Sequence, residues 1–227
     1  MPRPRIPDRR ERLLTAAREL ALDNGWPATT VSDIAARAGV GKGAVYLEFP
    51  DKAAILAAVL NRSMRGLTAA VQRRVRAATD VVDLPAVYRF GVEALLGDPL
   101  MRALYLGDEA VLGDHVRSVT DGRYQQRFDW LIDYIAALQE AGVIDPEVAT
   151  EPLVRMLSVF TIGLLHAPGT LGATTDDQLR ETVGLFADLV GRGLATQAPP
   201  DAAAARRAQL ALLDHLDAQL DHLEEIP

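Results

Sequence analysis

Apolar residues recur at intervals of three and four along almost the whole of this chain. That spacing limits what the chain can fold into more than any single motif does. Leu13, Ala17 and Leu20, with Leu14 and Ala21, line one helical face, and Ile55, Leu56, Val59, Leu60, Met64, Leu67 and Val71 line a longer one. The same period returns in Tyr124, Phe128, Leu131, Ile135 and Leu138, and in Leu153, Leu157, Phe160 and Leu164. It continues in Leu179, Val183, Phe186 and Val190, and ends with Leu213, Leu216, Leu220 and Leu223. No alternating run bounded by hairpin turns appears, which argues against a sheet. The expected fold class is all-α.

Start and stop signals divide these helices. Asp8 with Glu11 reads as a D-x-x-E helix start, and Asn24-Gly25 as its end. Thr30 with Asp33 opens a short helix that Gly39 closes, a third helix is expected from about Lys42 to Phe49, and Pro50-Asp51 begins a long one. Further on, Pro85, Pro99, Gly107, Gly113, Pro146 and a loop reading "APGTLGATT" separate the segments. Thr175 and Gln178 form a capping box, and Pro199-Pro200 precedes an Ala-rich final helix. The expected organisation is a helix-turn-helix unit over 1–50, a larger helical domain over 51–198 and a C-terminal amphipathic extension over 199–227.

A chain of 227 residues has room for one large domain or two modest ones. It contains no cysteine, which excludes disulfide frameworks, thiolate zinc sites and cysteine nucleophiles. The opening "MPRPRIPDRRERLL" is charged and Pro-rich, without the apolar core of a secretory signal. Met156 to Thr175 carries no formal charge, but Gly163, Pro168, Gly169 and Gly172 interrupt it, and its apolar part is too short to span a bilayer. A cytoplasmic protein with no membrane partner is expected. The net charge of -7 is unevenly spread. Residues 1–78 hold 14 basic and 7 acidic side chains, and the rest hold 10 and 24. An acidic protein thus has one basic end, suited to a polyanion.

The stretch "TTVSDIAARAGVGKGAVYLEF", Thr29 to Phe49, has the local requirements of a helix-turn-helix. Ala35, Ala36 and Ala38 allow close crossing of two helices, and Gly39 suits a left-handed turn position. Ile34, Val40 and Val45 supply the apolar contact that sets the crossing angle. Lys42, Tyr46 and Lys52 offer hydrogen-bond donors to phosphates, and Lys42 and Lys52 are the only lysines in the chain.

Together with "LLTAARELALDNGW" and "PDKAAIL", this stretch resembles the DNA-binding domain of the TetR family of bacterial transcriptional regulators over about residues 9–60. The resemblance implies that Thr30 and Ser32 lie near the DNA backbone at the start of the second helix. It places Lys42, Gly43, Ala44 and Leu47 at groove-facing positions and gives Tyr46 and Lys52 a phosphate each. Two residues depart from the family's pattern. Gly41 stands where a capping serine is common, and Glu48 where a neutral or basic residue is common. The Glu48 carboxylate either turns away, towards an arginine, or accepts from a cytosine amino group.

Other chemistries find less support. "GVGKG" lacks the spacing of a phosphate-binding P-loop, because Gly43 follows Lys42 and Ala36 stands in place of the first glycine. Asp108, Glu109, Asp114 and His115, and separately His215 and His222 beside Asp214 and Asp221, lack the spacing of a metal site and read as solvated faces. His166, in an apolar run, reads as a hydrogen-bonded core residue. No catalytic or metal-binding residue and no cofactor is expected. Four aromatic residues, Tyr105, Phe128, Tyr134 and Phe160, are candidates to line a pocket.

The reading is a homodimeric regulator, a repressor that binds a palindromic operator and is released by a small-molecule effector. Helices at about 147–166 and 175–197 would pair with their copies. Two alternatives are a constitutive DNA-binding protein without a ligand and a helical nucleotide-binding enzyme.

Overall fold

The structure, a computed structural model, describes residues 8–113, 123–197 and 199–225; for residues 123–126 and 221–225 it describes the backbone. Among the described residues it holds eleven helices and no strand. The N-terminal helices are α1 (Arg9–Asn24), α2 (Val31–Ala38) and α3 (Lys42–Val45), followed by the long α4 (Lys52–Ala77). Then come α5 (Leu84–Leu96), α6 (Pro99–Leu106), α7 (Glu109–Leu112), α8 (Arg123–Glu140), α9 (Thr150–Leu171), α10 (Asp176–Leu194) and α11 (Ala202–Glu225).

Most helix starts follow their capping residues. The Thr30 hydroxyl accepts from Asp33 N at 3.2 Å while the Asp33 carboxylate accepts from Thr30 N at 2.9 Å, and Thr175 and Gln178 repeat this box. Asp51, Asp83 and Asp98 cap α4, α5 and α6 more simply, each carboxylate accepting from backbone N–H groups of the first turn. Three expectations need correction. Asp8 makes no side-chain cap; its backbone lies in the left-handed region at φ 55°, and Glu11 pairs with Arg62 instead. Helix α3 closes at Val45, and its expected last turn survives only as the bonds from Glu48 N and Phe49 N to the Val45 carbonyl, both 2.9 Å. The expected loop over 167–175 is shorter in the structure: α9 continues to Leu171, and 172–175 alone lies outside a helix. Pro168 removes one donor, but its carbonyl still accepts from Gly172 N at 3.1 Å. Pro168 also packs against Gly107, whose φ of 73° and lack of a side chain permit the contact; a Cβ there would lie 2.5 Å from that of Pro168.

One apolar cluster runs across the boundary expected at residue 50. It joins Leu13, Leu14, Ile34, Val45, Ile55 and Leu56 to Leu100, Met101 and Leu112, and reaches Leu165 and Val183. A backbone bond from Trp26 N to the Val111 carbonyl (2.7 Å) ties the α1–α2 turn to α7. Helix α4 spans about 39 Å at its ordinary rise. Its first turns bury Ile55 and Val59 against α1, and its last turns bury Val71 and Val75 against Leu213 of α11. A second cluster centres on Ile135 and Leu138 of α8.

Helix α11 is built into this second cluster rather than appended to it. Gln209, 1% exposed, accepts from the Tyr134 hydroxyl; Gln72 donates to Asp214 at 2.9 Å, and Arg206 donates to the Ala78 carbonyl. Burial pushes the Tyr134 hydroxyl well above the ordinary tyrosine range, so it remains a donor. Tyr134→Phe strands the Gln209 oxygen and is expected to lower stability by about 1–3 kcal/mol, measured by urea unfolding.

Candidate nucleic-acid interface and ligand cavity

Helix α3 is held from behind. Val45 is fully buried, Gly39 closes α2 in the left-handed region at φ 68°, and Arg12 of α1 donates to the Ala38 carbonyl at 2.5 Å. These contacts leave an outward face of Lys42, Gly43, Tyr46 and Leu47, with Ala44 half-buried at its edge. Tyr46 is 51% and Leu47 75% exposed. A side chain at Gly43 would meet no protein atom within 4 Å, so nothing inside the protein demands glycine there. Lys42 forms no ion pair among the described residues, whereas Arg9, Arg18, Arg37 and Arg62 each pair with a carboxylate. Ser32 is exposed on the first turn of α2, beside the capping Thr30.

Glu48 resolves its two alternatives in favour of the arginine. Its carboxylate accepts from Arg9 Nε at 2.7 Å and from the same guanidinium's Nη2, and Arg10 donates to its carbonyl at 3.3 Å while lying over the Phe49 ring. With this carboxylate neutralised from behind, Glu48→Gln is expected to leave base preference unchanged. It should lower stability by about 1 kcal/mol, because both ends of the ion pair are largely covered. Selection from randomised half-sites checks the first outcome and thermal unfolding the second.

Lys52 reaches back rather than straight out. Its ammonium donates to the Trp26 carbonyl at 2.7 Å and sits 4.8 Å from the centre of that indole, and burial lowers its pKa from the ordinary lysine value. It thereby pins the start of α4 to the α1–α2 turn.

Behind this domain, helices α4, α5, α6, α8, α9, α10 and α11 line a half-open cavity of about 660 Å3. That lies within the range of small-molecule sites. Of the four aromatic candidates, Tyr105 and Phe128 line it, and Tyr134 and Phe160 do not. Tyr134 is drawn between α8 and α11 by Gln209, and Phe160 stacks on Phe186 at 3.5 Å between ring centres. Tyr88 meets both rings of that stack edge-on and also lines the cavity. Sequence periodicity did not flag Tyr88, Arg127, Arg155 or the α11 leucines as lining residues. Period identifies a buried face but not which distant face it meets.

The polar clusters have other uses. Asp108 caps α7, His215 stacks on Trp130 at 5.2 Å, and Asp214 holds Gln72. Asp114 and His115 lie outside the described residues, as do the side chains of Asp221 and His222. His166 is exposed rather than buried, a correction that follows from α9 turning that face outwards. Among the described residues no group of three metal-ligating side chains converges.

A short exposed helix seated across a capped one at a left-handed glycine defines a DNA-binding protein of the helix-turn-helix class. Residues 13–59 match the family model for bacterial regulatory proteins of the tetR family. Over 73 residues the chain is 40% identical to the HTH-type transcriptional activator FasR of Mycolicibacterium smegmatis, a stretch covering 32% of this chain and 33% of that protein. The match thus spans about a third of the relative's length. The fold of the whole chain resembles that of a TetR-family transcriptional regulator from Pectobacterium atrosepticum, with TM-score 0.60 and 21% identity over 85% of this chain and 95% of that one. It also resembles a structure described as the molecular basis for control of antibiotic production by bacterial hormones, with TM-score 0.59 and 23% identity over 85% and 100%. The resemblance to the TetR family of transcriptional regulators thus holds for the N-terminal domain in sequence and for the larger helical domain in fold.

Proposed function

We propose that the protein is a ligand-responsive repressor that binds a palindromic operator as a homodimer and is released by a small-molecule effector. One observation carries the reading. Among the described residues, the large exposed apolar side chains fall in two places only: Tyr46 and Leu47 on the reader, and Met156, Val159, Leu171, Leu185 and Leu189 on α9 and α10. Exposed apolar groups clustered in this way mark surfaces that meet partners. The first suits a DNA groove. The second suits the same two helices of another copy, in the four-helix arrangement expected from 147–166 and 175–197.

In this reading Lys42, Gly43, Ala44 and Leu47 face the groove, and Thr30, Ser32, Tyr46 and Lys52 position the backbone. Lys52 keeps its hold on Trp26 while a further ammonium proton meets a phosphate. Tyr105 and Phe128 contact the effector. The protein works in the cytoplasm, where its DNA is, and uses no cofactor. The family's members regulate transcription rather than catalyse reactions.

The cavity favours this reading over a constitutive DNA-binding protein. Met64, Leu67 and Val71 of α4 line it, and the same helix carries the reader at its other end. A ligand wedged against α4 alters the distance between the two readers, and a palindrome read at fixed half-site spacing is sensitive to that distance. Reversing a 99:1 equilibrium takes about 5.5 kcal/mol of differential ligand affinity, and operator DNA must weaken ligand binding by the same factor.

The test is selection from a random duplex pool followed by a reporter assay on the selected site. We expect an inverted repeat and reporter expression lowered by the protein. Equal affinity for selected and random DNA would overturn the reading. A rise in expression would instead make the protein an activator, as the relative FasR is named.

A further inference from the structure

We infer that the cavity takes an anionic amphiphile, a ligand with an extended apolar body and one carboxylate or phosphate head, the head held by Arg155 and Arg127. The inference rests on the reading of this cavity as the effector site and adds the chemistry of what enters it.

Apart from the tyrosines Tyr88 of α5 and Tyr105 of α6, the polar lining comes from α8 and α9. Glu151, Arg155, Ser158 and Thr161 follow one another along α9 at steps of four, three and three, and so share a face. Arg127 stands beside them on α8. The opposite walls, from α4, α10 and α11, contribute Met64, Leu67, Val71 and Leu179 with the leucines of α11, and not one polar side chain. A ligand that is polar throughout would strand its groups against those walls, and one that is apolar throughout would leave the α9 face unused.

Guanidinium groups outnumber carboxylates in the polar lining. The described lining holds two guanidinium groups, one carboxylate and no other formal charge. The carboxylate, Glu151, is already engaged by Arg155 at 3.0 Å, and both side chains of that pair are about two-thirds exposed, at 64% and 66%. Exposure places them at the mouth, where such a pair contributes little and yields readily to a better anion. Arg155 lies over the Phe128 ring, 5.5 Å from its centre, and Arg127 donates its Nε proton to Gln219 of α11 at 2.8 Å. Both guanidinium planes are therefore oriented before a ligand arrives, and a planar fork matches carboxylate and phosphate alike. A cationic head would find the one carboxylate of the lining already taken by Arg155. Further in, the Tyr88 and Thr161 hydroxyls lie 3.4 Å apart.

This polarity also fixes the direction of the ligand. With the head between α8 and α9, the body points towards α4, the helix that carries the reader. The head then governs affinity, and the length of the body governs how strongly α4 is displaced.

The experiment uses the full chain and the neutral fluorophore N-phenyl-1-naphthylamine, displaced at submicellar concentration by dodecanoate, dodecyl phosphate, dodecanol and dodecylamine. We expect both anions to displace the dye at concentrations about tenfold or more below those needed with the alcohol or the amine. Dodecanoate against dodecyl phosphate tells which head fits better. Arg155→Gln, at an exposed position, should erase most of the difference while dye binding is kept, and Arg127→Gln should act in the same direction. Equal or better displacement by the alcohol or amine overturns the inference and leaves the cavity as an effector site. Failure of the dye and of all four competitors to bind overturns the effector reading itself. A series from octanoate to palmitate should show operator release growing with chain length; release independent of length overturns the assigned orientation.

Discussion

The double variant Leu185→Glu with Leu189→Glu should be monomeric and should lose at least about a hundredfold in operator affinity. The two leucines are 61% and 57% exposed, one helical turn apart on α10, and Val159 of α9 is 66% exposed. In the proposed dimer they meet their copies. A glutamate at each position then brings four carboxylates into a surface that would otherwise exclude water, and charges left unpaired there are costly. The loss on DNA follows from geometry rather than from any contact at the reader. Two linked readers bind a palindrome with an avidity that exceeds the single site by roughly 10²–10⁴, and a monomer forfeits it. Because neither leucine supports the core of its own chain, the helical content should be unchanged by circular dichroism. Light scattering coupled to gel filtration gives the oligomeric state, and fluorescence anisotropy gives the affinity. A variant that stays dimeric and binds as before would move the interface elsewhere.

The second large effect is that of salt. If Lys42 and Lys52 each neutralise one phosphate per half-site, a dimer neutralises four, for a slope of log K against log salt of about -3.6 and a loss of roughly a hundredfold in affinity between 50 and 200 mM salt. The variants separate charge from hydrogen bonding. Lys42→Ala removes one cation from each reader and should reduce the slope of log K against log salt by about 1.8 for the dimer. Tyr46→Phe removes a donor but releases no counterion, so affinity should fall by about tenfold at unchanged slope. The same slope in wild type and Lys42→Ala would mean that this lysine does not face the phosphates. The basic N-terminal end does not act as a uniform patch in this scheme. Arg9, Arg18, Arg37 and Arg62 are committed to carboxylates of the protein, which leaves the reader lysine as an exposed cation at the groove.

The relation between cavity and reader runs along one helix. Leu56 and Val59 fasten the start of α4 to the reader's core, Met64 and Leu67 lie on the cavity, and Val75 is clamped by α11. A push at the middle of a helix held at its far end turns its near end, and that end carries α3. Helix α11 thus contributes both the anchor for α4 and, through Leu212, Leu213 and Leu216, a wall of the cavity.

The elements whose signals are local were legible from the residues alone. Capping boxes at Thr30 and Thr175, the left-handed Gly39 and the three-and-four spacing of Leu13 to Ala21 depend on neighbours within a turn or two, so their outcome is written where they stand. The reader was legible for the same reason, since a helix-turn-helix closes on itself within about twenty residues. What needed the tertiary structure lies where distant segments compete for one group. Glu48 could not be assigned until Arg9, 39 positions away, was placed beside it. Tyr134 and Phe160 carry the same apolar signal as Phe128, yet Gln209 takes one and Phe186 the other, while Phe128 is left to the cavity. Helix α11 could be recognised as amphipathic, but its two partners, α4 and α8, could not. Hydrophobic period states that a face is buried; only the packing of the whole chain decides against what, because every face of this kind offers nearly the same free energy per unit area.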